Sequence, residues 1–172
     1  MLLAGRTSYA PGMSELPDKL LAIEAAVAVF SRNGVAYALI GGLAVSVRSG
    51  VPRATLDVDF AVPTAVDRVV LSQQLVASSF TLAGSFAHSL NFRHESGEPV
   101  QLAFDPQFDQ MIARAEEVQL DALSLRVVTT NDLIAMKRRA AADPGRRRSK
   151  ALRDQADIAL LEGDVPEPNE GW

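Results

Sequence analysis

Cysteine is absent, and histidine occurs only twice, at His88 and His94. Without thiols, disulfides, zinc–thiolate centres and cysteine nucleophiles are excluded, and two histidines that read as ordinary strand residues are too few for the usual zinc sites. Aromatic residues make up 6% of the chain, and the single tryptophan, Trp172, falls in the tail and carries no argument. No apolar run approaches the ~18 residues of a membrane span. The first residues, MLLAGRTSYAPGM, lack the charged start and long apolar stretch of a signal peptide. A soluble cytoplasmic protein without membrane contact is expected.

Hydrophobic content of 48% and a mean hydropathy of +0.08 rule out a disordered chain. A length of 172 residues suits one domain with a real core. The expected organisation is a flexible leader over 1–13, one domain over 14–162 and a disordered tail over 163–172. Within the domain, 35–130 forms the core and 131–162 the C-terminal helices. Net charge is −4, which argues against a nonspecific nucleic-acid binder. Between Lys137 and Arg153, however, eight basic residues stand against Asp143 alone, so that segment is +7 and the remainder −11. Such a block is either a solvated, flexible face or a site for an anion such as a triphosphate or RNA.

Leu20, Ile23, Val27 and Phe30 recur at helical spacing and predict a helix over 18–33, stopped by Gly34. An apolar strand over 35–40 leads to Gly41-Gly42, a short helix over 43–49 and a strand over 55–62. A helix from Pro63-Thr64 to about Ser79 follows, then strands over 89–94 and 100–104 joined by a hairpin loop at Gly97 and Pro99. Helices over 106–117, 131–142 and 150–161 enclose a last strand over 123–128, with 146–149 mobile. Interleaved helices and strands give an α/β (α+β) domain, and the hairpin argues for a small mixed sheet.

The chemistry concentrates in LIGGLAVSVRSGVPRATLDVDFAV, residues 39–62. Asp57 and Asp59 are alternate residues of a strand, so both carboxylates face one way, ~6–7 Å apart. Aimed at one point they repel unless a cation or proton lies between them. Mg²⁺ held by one or two carboxylates plus substrate phosphates is the common remedy. The glycine pair is either a tight turn or a place where backbone approaches phosphate at a helix N-terminus.

Gly41, Gly42, Arg53, Thr55, Asp57 and Asp59 together resemble the nucleotidyltransferase superfamily with its polymerase-beta-like fold. Its pattern is a glycine pair, a short helix, then R-x-[ST]-x-D-x-D on a strand. The resemblance implies Mg²⁺ on Asp57 and Asp59 and a nucleoside triphosphate bound at Gly41, Gly42, Arg53 and Thr55. An acceptor hydroxyl attacks the α-phosphate and pyrophosphate leaves. Arg53 has an equally good structural role, pairing with one of the aspartates. Many members carry a third carboxylate on a neighbouring strand, where this chain has Val100-Gln101-Leu102. A neutral amide neither acts as a base nor binds Mg²⁺ as an anion does. Asp105, four residues on, is ~13 Å too far along a regular strand to replace it.

Further on, LIAMKRRA (133–140) and RDQADIALL (153–161) resemble the abortive-infection (AbiEii-like) toxins of the superfamily, with their K-x-x-A and D-x-x-D motifs. Lys137 and Ala140, then Asp154 and Asp157, fit them. The resemblance assigns Lys137 to nucleotide phosphates and makes Asp154 catalytically required, in a position to supply the charge that Gln101 lacks. Three residues apart, Asp154 and Asp157 share one helix face. The plainer readings are that Lys137 is one more surface cation and that Asp154 pairs with Lys150. The expectation is a toxin-type, Mg²⁺-dependent nucleotidyltransferase with an RNA-end acceptor, tRNA by resemblance, and a cognate antitoxin partner. The alternatives are a degenerate relative that binds nucleotide or a partner, which Gln101 favours, and a minimal nucleotidyltransferase antitoxin that modifies a partner protein.

Overall fold

The computed structural model describes residues 15–55 and 57–167; Leu56, the expected leader 1–13 and the last five residues of the tail lie outside them. The first helix, α1 (Glu15–Arg32), turns Ile23, Val27 and Phe30 inward, and Gly34 at φ 62° ends the segment. Phe30 stacks on Tyr37 with ring centroids 5.0 Å apart, and Phe60 meets both rings edge-on. Offset and edge-to-face aromatic contacts add to area burial, and each fully buried ring stabilises the fold by about 1.5–3 kcal/mol. These contacts dock α1 on the sheet.

Seven strands form one mixed sheet in the order β3-β4-β5-β2-β1-β7-β6, the α/β architecture expected. They are β1 (Ala38–Ile40), β2 (Val58–Ala61), β3 (Phe80–Ser85), β4 (Ser89–His94), β5 (Pro99–Ala103), β6 (Glu116–Leu120) and β7 (Leu123–Val127). The centre is antiparallel between β1 and β2 and parallel between β2 and β5 and between β1 and β7. The hairpin over 89–103 is where the turn chemistry puts it, with Gly97 at φ 92°.

Several boundaries differ from expectation, each for a local reason. The glycine pair opens α2 (Gly41–Ser49) instead of preceding it, and Gly50 at φ 73° closes that helix. The strand expected over 55–62 begins only at Val58, so Asp57 lies one residue before β2. The helix expected from Pro63 starts at Asp67, whose carboxylate caps Val69 and Val70, giving α3 (Arg68–Val76). Thr64 is instead held by both oxygens of Asp109, at 3.1 and 2.8 Å.

β3 and β6 were not anticipated. Both are edge strands whose outward residues are polar or exposed, so neither has the buried apolar run that announces a central strand. The helix expected over 106–117 therefore ends at α4 (Pro106–Arg114), capped by Asp105 through Gln107 N at 2.9 Å, and β6 turns into β7 at Asp121, φ 53°. His88 sits in the turn before β4 and not in a strand, whereas His94 is a buried strand residue bonded to Ser96 Oγ at 2.8 Å. The last two helices are α5 (Thr130–Ala142) and α6 (Arg148–Leu161), packed on one another and on α2. The stretch expected to be mobile over 146–149 is ordered, since Arg148 and Ser149 belong to α6 and Arg146 is ion-paired.

Candidate active site

Where β1 hands over to α2, Gly41 adopts φ 73° and its Cα faces the Asp59 side chain so closely that a Cβ would overlap Asp59 Oδ2. Only glycine fits, both for conformation and for space. Gly42 is nearly as confined: a Cβ there would stand 3.0 Å from Thr55 Oγ1 and 3.4 Å from an Arg53 guanidinium nitrogen. The six residues of the motif thus converge: Gly41 on Asp59, Gly42 on Thr55 and Arg53, and Thr55 Oγ1 donates to Asp57 O at 3.2 Å.

Asp57 is exposed, while Asp59 is half-buried. Burial pushes the Asp59 carboxyl up to about 6, the Asp57 charge pushes the same way, and Lys137 opposes both. The pair thus carries the charge repulsion its spacing implies, and Lys137 stands within electrostatic reach of it.

Lys137 is no surface cation. Its ammonium lies 3.2 Å from Asp154 Oδ1 and 2.9 Å from Asp157 Oδ2, and both aspartates are buried. Asp157 Oδ2 also takes Arg53 at 2.7 Å, and Asp154 Oδ2 takes Arg146 Nε at 2.5 Å. Among the described residues neither the alternative Asp154–Lys150 pair nor an Arg53 pair with Asp57 or Asp59 forms; Asp154 takes Lys137 of α5 and Arg146 of the loop before α6, and Arg53 takes Asp157 of α6. The result is a chain Arg53–Asp157–Lys137–Asp154–Arg146, three cations on two carboxylates, abutting the Asp57/Asp59 pair. Both Asp154 oxygens are engaged in it, whereas Asp157 Oδ1 is buried without a hydrogen-bond partner.

Gln101 stands beside Asp59 in the β2–β5 register, the position where the resemblance would put a third carboxylate. Asp105, caught in its helix cap, is elsewhere. Among the described residues no cluster of three or more His, Cys, Asp or Glu is placed to hold a metal. Asp57 and Asp59 would offer a divalent cation two hard carboxylates, with phosphate oxygens completing its shell. That donor set suits Mg²⁺, which keeps few protein ligands.

A family profile for "Nucleotidyl transferase AbiEii toxin, Type IV TA system" matches residues 25–170. The chain belongs to the AbiEii family. It is a nucleotidyltransferase of the toxin class, as the residues in both halves of the site indicated. Solved structures with the same fold include the antibiotic-resistance factor ANT(2'')-Ia, at 15% identity and TM-score 0.63, covering 85% of each chain. The lincosamide antibiotic adenylyltransferase LnuA shares 14% identity at TM-score 0.60, over 87% of this chain and 97% of that one. A nucleotidyltransferase-like protein from Paracoccidioides brasiliensis shares 23% at TM-score 0.60, over 89% and 78%. No curated protein matches the chain significantly.

Among the described residues, no helix of this AbiEii protein is long and apolar enough to cross a membrane. Two of its site residues were not assigned their contacts by sequence reading. Arg146 was one of many cations in a basic block, and Asp157 was noted only as the second half of a motif. No local signal marks Arg146, and the motif names Asp157 without its partners, because those partners lie on other elements.

Proposed function

We propose that this AbiEii protein uses Mg²⁺ to transfer a nucleoside monophosphate from a nucleoside triphosphate to the end of an RNA, with tRNA favoured, and that a cognate antitoxin restrains it. The observation that carries the proposal is the contact of Gly41 with Asp59 beside the Lys137 charge. It sets a glycine backbone against the Asp59 carboxylate within electrostatic reach of Lys137, which supports a site for metal and phosphate.

Asp57 and Asp59 would hold the metal, which when bound would supply positive charge to offset the negative charge developing in phosphoryl transfer. The start of α2 at Gly41-Gly42 would turn backbone N–H groups toward the triphosphate. Arg53 and Lys137 share their donors between the buried aspartates and the phosphates, and Thr55 fixes the backbone at Asp57. Asp154 and Asp157 act as positioning residues: buried and ion-paired, they hold Lys137 and Arg53 aimed at the site. A cationic acceptor is disfavoured by the exposed Arg147, Arg148, Lys150 and Arg153, which have no ion-pair partner among the described residues. An RNA backbone suits them.

Gln101 beside Asp59 favours a second reading, a relative that binds nucleotide without turnover. Incubation with each labelled nucleoside triphosphate, Mg²⁺ and an RNA pool separates the two. Transfer lost in Asp57→Ala and Asp59→Ala supports the enzyme. Calorimetric binding of Mg²⁺-nucleotide with no transfer to any acceptor supports the second reading.

A further inference from the structure

The sheet continues beyond Gln101 in a way the phosphate-binding half does not. Asp59 on β2 is in register with Gln101 on β5, and Gln101 with Asn91 on β4, so the three side chains form one row on one sheet face. The next strand places Gly84 opposite Asn91. Gly84 leaves a gap, and the Phe86 ring fills it: a Cβ at Gly84 would lie 2.8 Å from Phe86 Cε2. Phe86 is nevertheless 59% exposed. The Asn91 side-chain oxygen is buried and has no hydrogen-bond partner. A buried amide oxygen left unpaired costs free energy that a ligand donor recovers.

Cations and glycines lie on the α2 side of Asp59, at Gly41, Gly42, Arg53 and Lys137. The opposite side, along β5 and β4, carries neutral amides and ends at an exposed ring. With strands ~4.8 Å apart, Asn91 stands about 10 Å from Asp59 and Gly84 about 14 Å. A single nucleoside covers such a span, from ribose hydroxyl to the far edge of the base. Amides read the edge of an unstacked base, and an aromatic face stacks on it.

We propose that Gln101, Asn91 and Phe86 form the acceptor subsite, in which the terminal base of a single-stranded RNA is read by the two amides and stacked on Phe86. This rests on the transferase reading for the identity of the acceptor, and its test does not depend on turnover. Binding of a fluorescent, single-stranded oligoribonucleotide with a free 3′ end is measured by anisotropy at fixed salt, beside calorimetry of Mg²⁺-nucleotide. Asn91→Leu and Phe86→Ala are each expected to weaken RNA binding about 5-fold or more, the lower end of a lost base–aromatic stack. Nucleotide affinity stays within about 2-fold, well under one such contact. Phe86 lies in an exposed turn, so its variant folds even if Asn91→Leu does not. Unchanged RNA binding in Phe86→Ala and in folded Asn91→Leu, no RNA binding by the wild type, or an equal loss of nucleotide affinity would each overturn the proposal. RNA binding that depends on the row, without any nucleotide transfer, would leave the subsite standing and refute the catalytic reading instead.

Discussion

Replacing Lys137 with methionine tests the buried ion-pair chain most severely. The substitution keeps an unbranched apolar stem and deletes one charge, so packing changes little. The Lys137 side chain is 15% exposed, and its two partners, Asp154 and Asp157, are 2% and 1% exposed at the side chain. Removing one member of such a pair strands buried charge at a cost of about 3–5 kcal/mol. Arg146 and Arg53 remain on the two carboxylates, which puts the expected loss at the lower end, about 3 kcal/mol. For a chain of this size that corresponds to a fall in Tm of roughly 6–12 °C. Differential scanning calorimetry and urea denaturation of wild type and Lys137→Met read it directly. A destabilisation below about 1 kcal/mol, the worth of an exposed surface pair, would refute the reasoning. The same variant removes the cation that opposes the raised Asp59 pKa, so NMR titration should find that pKa higher still.

Gly41→Ala should be poorly tolerated, because a Cβ meets Asp59 Oδ2 and the residue holds φ 73°; a loss of about 1–3 kcal/mol in denaturation and of nucleotide binding is expected, against little change for Gly145→Ala. Asp59 gives a pH signature: its carboxyl is raised from 3.8 to about 6, so the folded state holds the proton more tightly than the unfolded chain does. Its stabilising contribution is complete below 3.8 and lost as pH rises through about 6 in metal-free buffer; adding Mg²⁺ should recover stability above 6, and an identical stability–pH curve with and without Mg²⁺ would count against the site. Gln101→Asp places a third carboxylate beside Asp59. It should tighten Mg²⁺ binding by calorimetry and lower stability in EDTA, and unchanged affinity would show that position 101 does not face the metal.

The motif residues were legible because glycine and paired aspartate have few reasons to be spaced as they are. Gly41 and Gly42 pointed to close approach, and the structure supplies what they approach: Asp59, Thr55 and Arg53. The central strands read clearly from their buried apolar residues, while β3 and β6 did not, since an edge strand need not be hydrophobic on its outer side. Lys137, Asp154 and Asp157 could be named from motifs but not joined, because an ion pair between α5 and α6 leaves no local trace. The same holds for Asn91, whose place beside Gln101 exists only in the strand register. Arg146 was misread as mobile for the related reason that Asp143, Pro144 and Gly145 ahead of it break a helix, while what orders it is Asp154 on the next one.

The central claim is that Asp57 and Asp59 share a metal that also holds a triphosphate lying on Gly41-Gly42 and Lys137. Anomalous diffraction from crystals grown with Mn²⁺ and a non-hydrolysable nucleoside triphosphate tests it in one measurement. A manganese peak in contact with both carboxylates, with phosphates against the start of α2, is the expected result. Triphosphate bound elsewhere, or a site at Gly41-Gly42 with no metal on Asp57 and Asp59, would contradict it.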